Sequence, residues 1–403
     1  MGDFHQNGSV TTLHNITKRP TEYLEADLMQ FSKVRPMTLI LPSLYSELQT
    51  DAFENIVQHL REVPYLSEIV IGLDRANEEQ WKHAQDYFGR LPQHHRILWN
   101  DGPRLLALDN ELAEHGLAPK ERGKGRNVWY CMGYALMSGM GQAVALHDCD
   151  IKTYDRGMLA RLFYPVAHPS FNYQFCKGYY SRVADGALKG RVTRLLVTPL
   201  IRALKSTVGS TDYLDYLDSF RYPLAGEFAV RADVLSDLRI PSDWGLEVGT
   251  LSELHRNYAP SRICQVDILD VYDHKHQNLS PEDANAGLSK MSTDIAKVIF
   301  RKLATQGHVL SSSTFRALKA SYYRIALDFI EAYAADALMN GLSLDRHAEE
   351  KAVEVFTQSI MRAGERYLNE PMEVPFIPSW NRVRSAIPEL MPRLHQAVEA
   401  DHG

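Results

Sequence analysis

The first half of the chain alternates short apolar runs with stretches of helical periodicity, and this alternation restricts the fold more than any other feature. Apolar runs at residues 37–41, 68–74 and 96–99 each have the length of a buried strand. Between them, residues 51–61 and 77–87 have the pattern of surface helices. Alternation of this kind builds βαβ units around a largely parallel sheet. The chain is therefore predicted to have an α/β fold.

A fourth apolar run, residues 143–146, is followed by His147-Asp148-Cys149-Asp150. In extended backbone, side chains two residues apart lie on the same side, so Asp148 and Asp150 share a face while Cys149 points away. Two carboxylates this close repel each other, and a divalent cation such as Mg²⁺ or Mn²⁺ removes that cost. The carboxyl end of a strand is also where open α/β sheets bind ligands. A strand followed by an acidic turn is the simpler interpretation of the tripeptide alone.

Two basic segments are candidate anion sites. Lys124 lies between two glycines, which let the backbone approach a phosphate closely, although the spacing of a P-loop is absent. Residues 189–194 place lysine, arginine and threonine at the start of a predicted helix that runs towards residue 204. An exposed loop lysine and an ordinary solvated helix start are the alternative interpretations.

Three further residues are candidates because of their setting. Glu247 lies in an apolar stretch, where an isolated carboxylate is rare without a partner or a task. His274 and His276 follow a predicted strand two residues apart, so both could bind one metal ion. For His274 and His276, the alternative interpretation is that they are ordinary histidines in a surface loop.

Composition excludes several classes of protein. Hydrophobic residues make up 45% of the 403 residues and charged residues 23%, which is ordinary for a globular protein of one large or two smaller domains. The net charge of −6 argues against nucleic acid as a general partner. Neither a membrane-spanning run nor a signal-peptide core is present, and the four scattered cysteines suit reduced thiols. We expect a cytoplasmic protein with no membrane partner.

The pattern divides the chain into three parts. Residues 1–35 are polar and predict a loosely packed leader with a helix near 22–31. Residues 36–285 form the predicted α/β domain, in which residues 155–220 look less regular. Residues 286–403 predict a helical region whose apolar stripes suit a core or a homodimer interface.

Seven short motifs occur in a characteristic order: Leu41-Pro42-Ser43-Leu44, Gly123-Lys124-Gly125, Asp148-Cys149-Asp150, Gly190-Arg191-Val192-Thr193, Pro223-Leu224-Ala225-Gly226-Glu227, Trp244-Gly245-Leu246-Glu247-Val248-Gly249 and His274. Taken together, they resemble the glucosyl-3-phosphoglycerate synthases and the related mannosyl-3-phosphoglycerate synthases, which are retaining glycosyltransferases of the GT-A fold. The resemblance spans residues 36–280. It implies a Rossmann-like domain that binds a nucleotide sugar, with a mixed, mostly parallel sheet, followed by a C-terminal helical region.

The resemblance implies a reaction as well. A hexose, most simply glucose, would pass from a nucleoside-diphosphate sugar to the 2-hydroxyl of 3-phosphoglycerate with Mg²⁺ or Mn²⁺ as cofactor, on a route to the compatible solute glucosylglycerate. Transfer of mannose from GDP-mannose and transfer to unphosphorylated glycerate are the nearest alternatives. A sugar-nucleotide hydrolase, a nucleotidyltransferase and a non-catalytic binding module are more distant ones. The family also leads us to expect a homodimer.

The resemblance assigns roles to residues of this chain. The catalytic positions would be Asp148, Asp150, Glu247 and Lys124. The donor would contact Pro42, Ser43, Leu44, Glu47, Asp74, Lys124, Asp148, Leu224, Ala225, Gly226 and Glu247. The acceptor would contact Gly190, Arg191, Thr193 and His276. The metal ion would be held by Asp150 and His274.

Two departures from the family pattern affect the substrates. The first strand continues as Tyr45-Ser46-Glu47, one residue longer before the glutamate than is usual, so UDP-, GDP- and ADP-linked donors all stay open. His276 stands where the family often has an asparagine that binds the acceptor. Histidine can still donate a hydrogen bond to a phosphate, with a different pH dependence.

Overall fold

The structure, a computed structural model, describes residue 6 and residues 8–274, 287–371 and 376–403. The strands are β1 (Thr11–Leu13), β2 (Met37–Leu44), β3 (Leu66–Asp74), β4 (His95–Trp99), β5 (Ala143–Leu146), β6 (Phe175–Ala184), β7 (Ala187–Leu188), β8 (Phe228–Arg231), β9 (Ile240–Pro241), β10 (Ile263–Tyr272) and β11 (Phe376–Ile377).

The helices are α1 (Thr21–Phe31), α2 (Asp51–Leu60), α3 (Glu78–Phe88), α4 (Pro103–Glu114), α5 (Lys124–Ser138), α6 (Arg156–Ala167), α7 (Thr198–Val208), α8 (Asp212–Asp218), α9 (Ala232–Leu235), α10 (Leu246–Asn257), α11 (Gly287–Thr305), α12 (Ser312–Met339), α13 (Arg346–Asn369), α14 (Trp380–Ala386) and α15 (Leu390–His402). A π-helix, Val192–Val197, leads directly into α7.

The main sheet has the strand order β1-β10-β6-β8-β5-β2-β3-β4, with β7 pairing beside β6. Every pair along this order is parallel except the two made by β8, which runs antiparallel to both β5 and β6. The prediction of an α/β fold with a mixed, mostly parallel sheet is therefore confirmed.

Both faces of the central strands are covered. Along β2, Leu39 and Leu41 join the hydrophobic cluster that packs under α2, α3 and α6, whereas Ile40 joins the cluster under α5, α7 and α11–α13. Because successive strand residues point to opposite faces, a strand buried on both sides reads as a continuous apolar run. This explains why these strands are visible in the sequence.

Strand β2 is longer than the apolar run at residues 37–41, since it continues through Pro42 to Leu44. Residues 42–44 still pair with β3, up to Leu44 opposite Asp74. On the other side of β2, pairing with β5 stops at Ile40 opposite Leu146. Pro42 therefore lies where β2 has one neighbour only, which is where a sheet tolerates proline.

The expectation of a loosely packed leader is wrong for the residues that the structure describes. Strand β1 pairs in parallel with β10, and Val10 and Thr12 are buried. The predicted helix is present as α1 and buries Leu24 and Leu28. The polar composition of the segment hid this packing, because an edge strand of three residues has too short a pattern to recognise.

Residues 155–220 are also more regular than the sequence suggested. They contain α6 and β6, and β6 lies between β10 and β8 inside the main sheet. The helix predicted to start within residues 189–194 begins as the π-helix before α7. Near the C-terminus, α14 and α15 are two separate helices with Pro388 between them, because proline cannot continue a helix.

The described part of residues 286–403 is helical apart from β11, and its helices pack on the sheet domain. Helices α11, α12 and α13 contribute to the same hydrophobic cluster as α5 and α7. The domain limits at 36 and 285 stay predictions. Within the described residues, no helix combines the length and apolar character needed to cross a membrane.

Candidate active site

The candidate residues gather at one edge of the sheet. Strands β2, β3 and β5 are parallel, so their carboxyl ends meet at this edge. Leu44 and Asp74 end the first two strands, and Asp148 and Asp150 follow the third. This is the edge at which open α/β sheets bind ligands.

Asp148 and Asp150 are partly exposed, whereas the residues before and between them, His147 and Cys149, are buried. The two aspartate side chains keep 23% and 25% exposure. Burial lowers the pKa of His147 to about 4, so the ring is neutral at physiological pH. The alternation expected for extended backbone is therefore present after β5.

Lys124 joins Asp148 to Glu247. It is the first residue of α5, and its Nζ lies 2.5 Å from Asp148 Oδ1 and 3.3 Å from Glu247 Oε1. Burial acts to lower the pKa of Lys124, but the two carboxylates outweigh it and raise that pKa. Burial likewise acts to raise the pKa of Asp148, and Lys124 holds it below its ordinary value. Lys124 and Asp148 are therefore both charged.

Gly226 lets the loop before β8 lie directly against Asp148. A Cβ atom at this position would come within 2.7 Å of Asp148 Oδ2, which is shorter than real contacts allow. Ala225, its neighbour in the loop, is fully buried, and Leu224 is partly buried. A larger residue at 226 would displace the carboxylate, so the loop and the acidic pair form one unit.

Asp150 faces His274. An antiparallel bridge joins Ile151 to His274, and it places His274 Nδ1 3.4 Å from Asp150 Oδ2. Two ligand atoms at this separation can bind the same cation, and carboxylate with imidazole suits Mn²⁺ and tolerates Mg²⁺. Across the described residues, no cluster of three or more His, Cys, Asp or Glu could hold a metal ion. Substrate and water oxygens can supply further ligands to such a cation.

Glu47 lies behind the acidic pair. Its Oε2 accepts hydrogen bonds from the Leu44 backbone N–H at 2.9 Å and from the Ser43 hydroxyl at 3.3 Å. Burial, together with repulsion from Asp150 and Asp148, raises the pKa of Glu47 to about 7. The contacts fix the backbone that follows Pro42, at the position predicted to meet the nucleotide base.

Asp74 closes the other side of this edge. Its Oδ1 accepts a hydrogen bond from Asn100 at 2.7 Å, and burial raises the pKa of the carboxyl group. Helix α5 contributes Asn127, whose amide donates to the Gly72 carbonyl at 2.9 Å. These bonds hold the ends of β3 and β4 in place beside the predicted base site.

Lys177 is a candidate that the sequence analysis missed. It lies on β6, is 1% exposed and lines a small cavity together with Lys124, Gly226 and Glu247. Burial lowers the pKa of Lys177 to about 8. A single lysine inside an otherwise apolar stretch was the available signal, because a buried charge needs a partner or a task.

A buried glutamate supports this cavity from behind. Glu227 accepts hydrogen bonds from the hydroxyls of Tyr272 at 2.6 Å and Tyr180 at 2.8 Å, and these two rings stack. Burial and repulsion from Asp148 raise the pKa of Glu227. Each tyrosine also contacts a further ring: Tyr272 contacts the ring of His274, the predicted metal ligand, and Tyr180 contacts the ring of Tyr222.

The predicted acceptor residues form a separate group. Gly190 adopts a left-handed φ of 78°, which favours glycine, and it precedes the π-helix that contains Thr193. Arg191 contacts Glu349 on α13. Thr193 is buried, and its hydroxyl has no hydrogen-bond partner among the described residues. His276 lies outside the residues that the structure describes.

Solved structures of known enzymes share this fold. The mannosyl-3-phosphoglycerate synthase of Rubrobacter xylanophilus aligns with a TM-score of 0.54 at 19% identity, covering 75% of this chain and 83% of that one. The glucosyl-3-phosphoglycerate synthase of Mycobacterium tuberculosis in complex with phosphoglyceric acid gives 0.52 at 20% identity, covering 75% and 89%. The fold that they share with this chain is the mixed α/β fold of the GT-A class.

Sequence comparison identifies the family within this class. No family model matches the chain. The glucosyl-3-phosphoglycerate synthase of Persephonella marina is 47% identical over 402 residues, which cover 100% of this chain and 99% of that protein. The enzyme of the same name from Methanococcoides burtonii is 39% identical over 403 residues, covering 99% and 98%. The chain belongs to the glucosyl-3-phosphoglycerate synthase family.

Proposed function

We propose that this protein transfers glucose from a nucleoside-diphosphate glucose to the 2-hydroxyl of 3-phosphoglycerate, with retention of the anomeric configuration. The observation that carries the proposal is the match to the Persephonella marina enzyme, which runs the full length of both chains at 47% identity. The site geometry supports it, because the acidic pair, Lys124 and the third carboxylate, Glu247, converge at the ligand-binding edge of the sheet.

UDP-glucose is the donor that we propose. A structure of the Mycobacterium tuberculosis glucosyl-3-phosphoglycerate synthase in complex with Mn²⁺, UDP-glucose and phosphoglyceric acid has this fold, with a TM-score of 0.51 at 20% identity over 75% of this chain and 89% of that one. In this chain, the backbone after Pro42 and the carboxylates of Glu47 and Asp74 would bind the uridine. Their hydrogen bonds to Leu44 and Asn100 keep both carboxylates in place before the donor arrives.

A divalent cation would be held by Asp150 and His274. When bound, Mg²⁺ or Mn²⁺ supplies Lewis-acid stabilisation of the negative charge that develops on the leaving diphosphate. Asp148 would accept hydrogen bonds from the ribose or orient the diphosphate. Lys124, which is already charged and 2.5 Å from Asp148, would add a fixed positive charge beside the same phosphates.

Glu247 would orient the sugar rather than attack it. Its carboxylate is held by Lys124 at the wall of the cavity beside Gly226. Leu224, Ala225 and Gly226 would form the opposite wall. We expect no covalent glycosyl-enzyme intermediate, and glycosylated Glu247 in a mass spectrum of the working enzyme would disprove this role.

The acceptor would bind at the start of the π-helix. Gly190, Arg191 and Thr193 would contact the phosphate and the carboxylate of 3-phosphoglycerate, since guanidinium and hydroxyl donors suit both groups. His276 stays a predicted acceptor ligand. A homodimer and a cytoplasmic location also stay predictions; the cytoplasm suits a protein whose four cysteines are free and buried.

Product analysis tests the proposal. The purified protein is incubated with Mg²⁺ or Mn²⁺, with 3-phosphoglycerate or glycerate as acceptor, and with UDP-, GDP- or ADP-glucose or GDP-mannose as donor. The products are identified by mass spectrometry. We expect glucosyl-3-phosphoglycerate from UDP-glucose. Product formed only from GDP-mannose would show that the enzyme transfers mannose rather than glucose. Release of nucleotide without sugar transfer would contradict the proposed acceptor.

A pair of variants tests the acidic site. Asp150→Asn should lower kcat by about 10²–10³-fold, the usual cost of losing one group that stabilises transition-state charge. Asp270→Asn is the matched control, because this carboxylate of β10 is exposed and pairs with Lys18. Equal activity of Asp150→Asn and wild type would show that Asp150 holds no essential metal ion.

A further inference from the structure

The segment that leads into the predicted acceptor residues is fixed by the C-terminal helices. The loop between α12 and α13 pairs with the turn after β6, since Ser343 donates to the Gly186 carbonyl at 2.8 Å and accepts from the Leu188 N–H at 3.2 Å. Further along, the Tyr322 hydroxyl on α12 donates to the Leu195 carbonyl at 2.6 Å. Residues 186–195 are therefore held at both ends by a part of the chain far away in sequence.

Between these two points, Glu349 binds two arginines. Its Oε1 accepts from Arg191 Nε at 2.7 Å, and its Oε2 lies 2.8 Å from Arg194 Nη1. The carboxylate is 2% exposed and lies in the first turn of α13, where the helix dipole favours negative charge. A buried carboxylate shared by two guanidinium groups orients both of them.

The two arginines are held to different degrees. Arg194 also donates from Nε to the Lys189 carbonyl at 2.7 Å, and its guanidinium lies 4.8 Å from the Tyr333 ring. The Arg191 side chain is 34% exposed. Among the described residues, its guanidinium makes one hydrogen bond, which goes to Glu349. Its two Nη groups are thus available to an anion. One carboxylate against two guanidinium groups also leaves one net positive charge.

We propose that Glu349 is a positioning residue, which holds Arg191 in the orientation that binds the anionic acceptor and thereby couples the C-terminal helices to acceptor affinity. The ligand class is a small anion with a phosphate or a carboxylate. Glu349 fixes Nε and leaves the paired Nη donors in the planar geometry that such oxygens accept. This inference rests on the proposed acceptor role of Arg191.

Steady-state kinetics of Glu349→Gln tests the inference. Glutamine keeps the size of the side chain but cannot accept from both arginines, so Arg191 loses its fixed orientation. We expect KM for 3-phosphoglycerate to rise about tenfold, which corresponds to about 1.4 kcal/mol, while kcat and KM for UDP-glucose change less than about twofold. Glu350→Gln is the control, because Glu350 is the next residue of α13 and pairs with Arg346 at 3.2 Å. It should match wild type.

A double variant separates positioning from simple loss of structure. If Glu349 acts through Arg191, adding Glu349→Gln to Arg191→Ala should raise KM for the acceptor no further. Wild-type KM in the single variant, an equal loss of kcat/KM for both substrates, or additive effects in the double variant would overturn the inference. A wild-type enzyme that uses no phosphoglycerate would instead contradict the proposed function.

Discussion

Two lysines face the same cavity, and their surroundings give them different properties. Lys124 contacts Asp148 and Glu247 directly, and these carboxylates raise the pKa of Lys124. Lys177 lies deeper on β6, and burial lowers its pKa to about 8. The first lysine therefore stays charged at any working pH, whereas the second can lose its charge within the range where the enzyme is assayed.

We predict that Lys177 sets an alkaline limit to activity. As the pH rises through about 8, Lys177 loses its proton and the carboxylates of Glu247 and Glu227 lose one of their neighbouring cations. The kcat of wild type should therefore fall above pH 8. Lys177→Met should show, already at pH 7, a kcat lowered about tenfold, because it lacks this charge at every pH.

A pH–rate profile from 6.5 to 9.5 measures this effect. Lys177→Arg keeps the charge at high pH, so the alkaline fall should be weaker in this variant. Lys82→Met, which removes an exposed lysine on α3, is the control and should follow wild type. An unchanged profile in Lys177→Met would show that the buried ammonium has no part in turnover.

At the scale of elements, local pattern predicted some strands and missed others for one reason. Strands β2, β3 and β5 are short apolar runs buried on both faces, so their sequence alone reveals them. Strand β6 contains Lys177, Gly178 and Arg182, which break the pattern. Its place in the sheet depends on pairing with β10 and β8, which are distant in the chain, and no local window contains that information.

The same distinction holds for the site. The shared face of Asp148 and Asp150 follows from the period of a strand and could be predicted from three residues. The contact of Lys124 with Glu247, and of Arg191 with Glu349, depends on how separate helices pack. The family resemblance had named Lys124, Glu247 and Arg191 but not Glu349, so Glu349 could not have been found before the fold was known.

Helix α15 is held against the edge strand β4 by a carboxylate. Glu399 accepts hydrogen bonds from the Arg96 guanidinium at 2.9 Å and from the Tyr134 hydroxyl at 2.7 Å, while His402 Nε2 accepts from the Ile97 N–H. The Arg96 hydrogen bonds hold the pKa of Glu399 at about 2. The contact covers N–H groups that an edge strand would otherwise expose.

We predict a pH-dependent loss of stability in Glu399→Gln. A carboxyl group whose pKa is lowered by folding contributes stability that is complete above the ordinary pKa near 4.5 and is lost as the pH falls towards 2. The loss at pH 7 should be about 1 kcal/mol, because solvent screens a pair whose side chains keep 25% and 35% exposure. The difference from wild type should shrink at pH 3.5.

Chemical denaturation at pH 7 and at pH 3.5 measures this difference in the free energy of unfolding. Glu365→Gln, which removes an exposed carboxylate from α13, should leave the free energy of unfolding unchanged at both. A difference between Glu399→Gln and wild type that stays constant from pH 7 to pH 3.5 would mean that packing of α15, rather than the ion pair, accounts for the loss.

At the scale of the whole molecule, the helical region and the sheet share one core. Ile40 and Val144 of the sheet belong to the same hydrophobic cluster as Trp129 of α5, Phe300 of α11 and Phe356 of α13. The ring of Trp129 also stacks on Trp380 of α14, with centroids 4.0 Å apart. Helices α11–α14 therefore cover one face of the sheet domain, and Glu349 adds a polar contact to this apolar interface.

From this shared core we predict that the full chain unfolds in a single transition and that residues 1–285 do not fold alone. Removing residues 286–403 would expose Trp129 and the apolar face of α5 and α7, and the lost burial would exceed the small net stability of a domain. Circular dichroism and tryptophan fluorescence of the full chain should give coincident melting curves. The truncated chain should melt without cooperativity, and residues 286–403 added as a separate chain should restore a transition. Two separate transitions in the full chain, or a cooperative truncated chain, would instead support an independent domain that ends at residue 285.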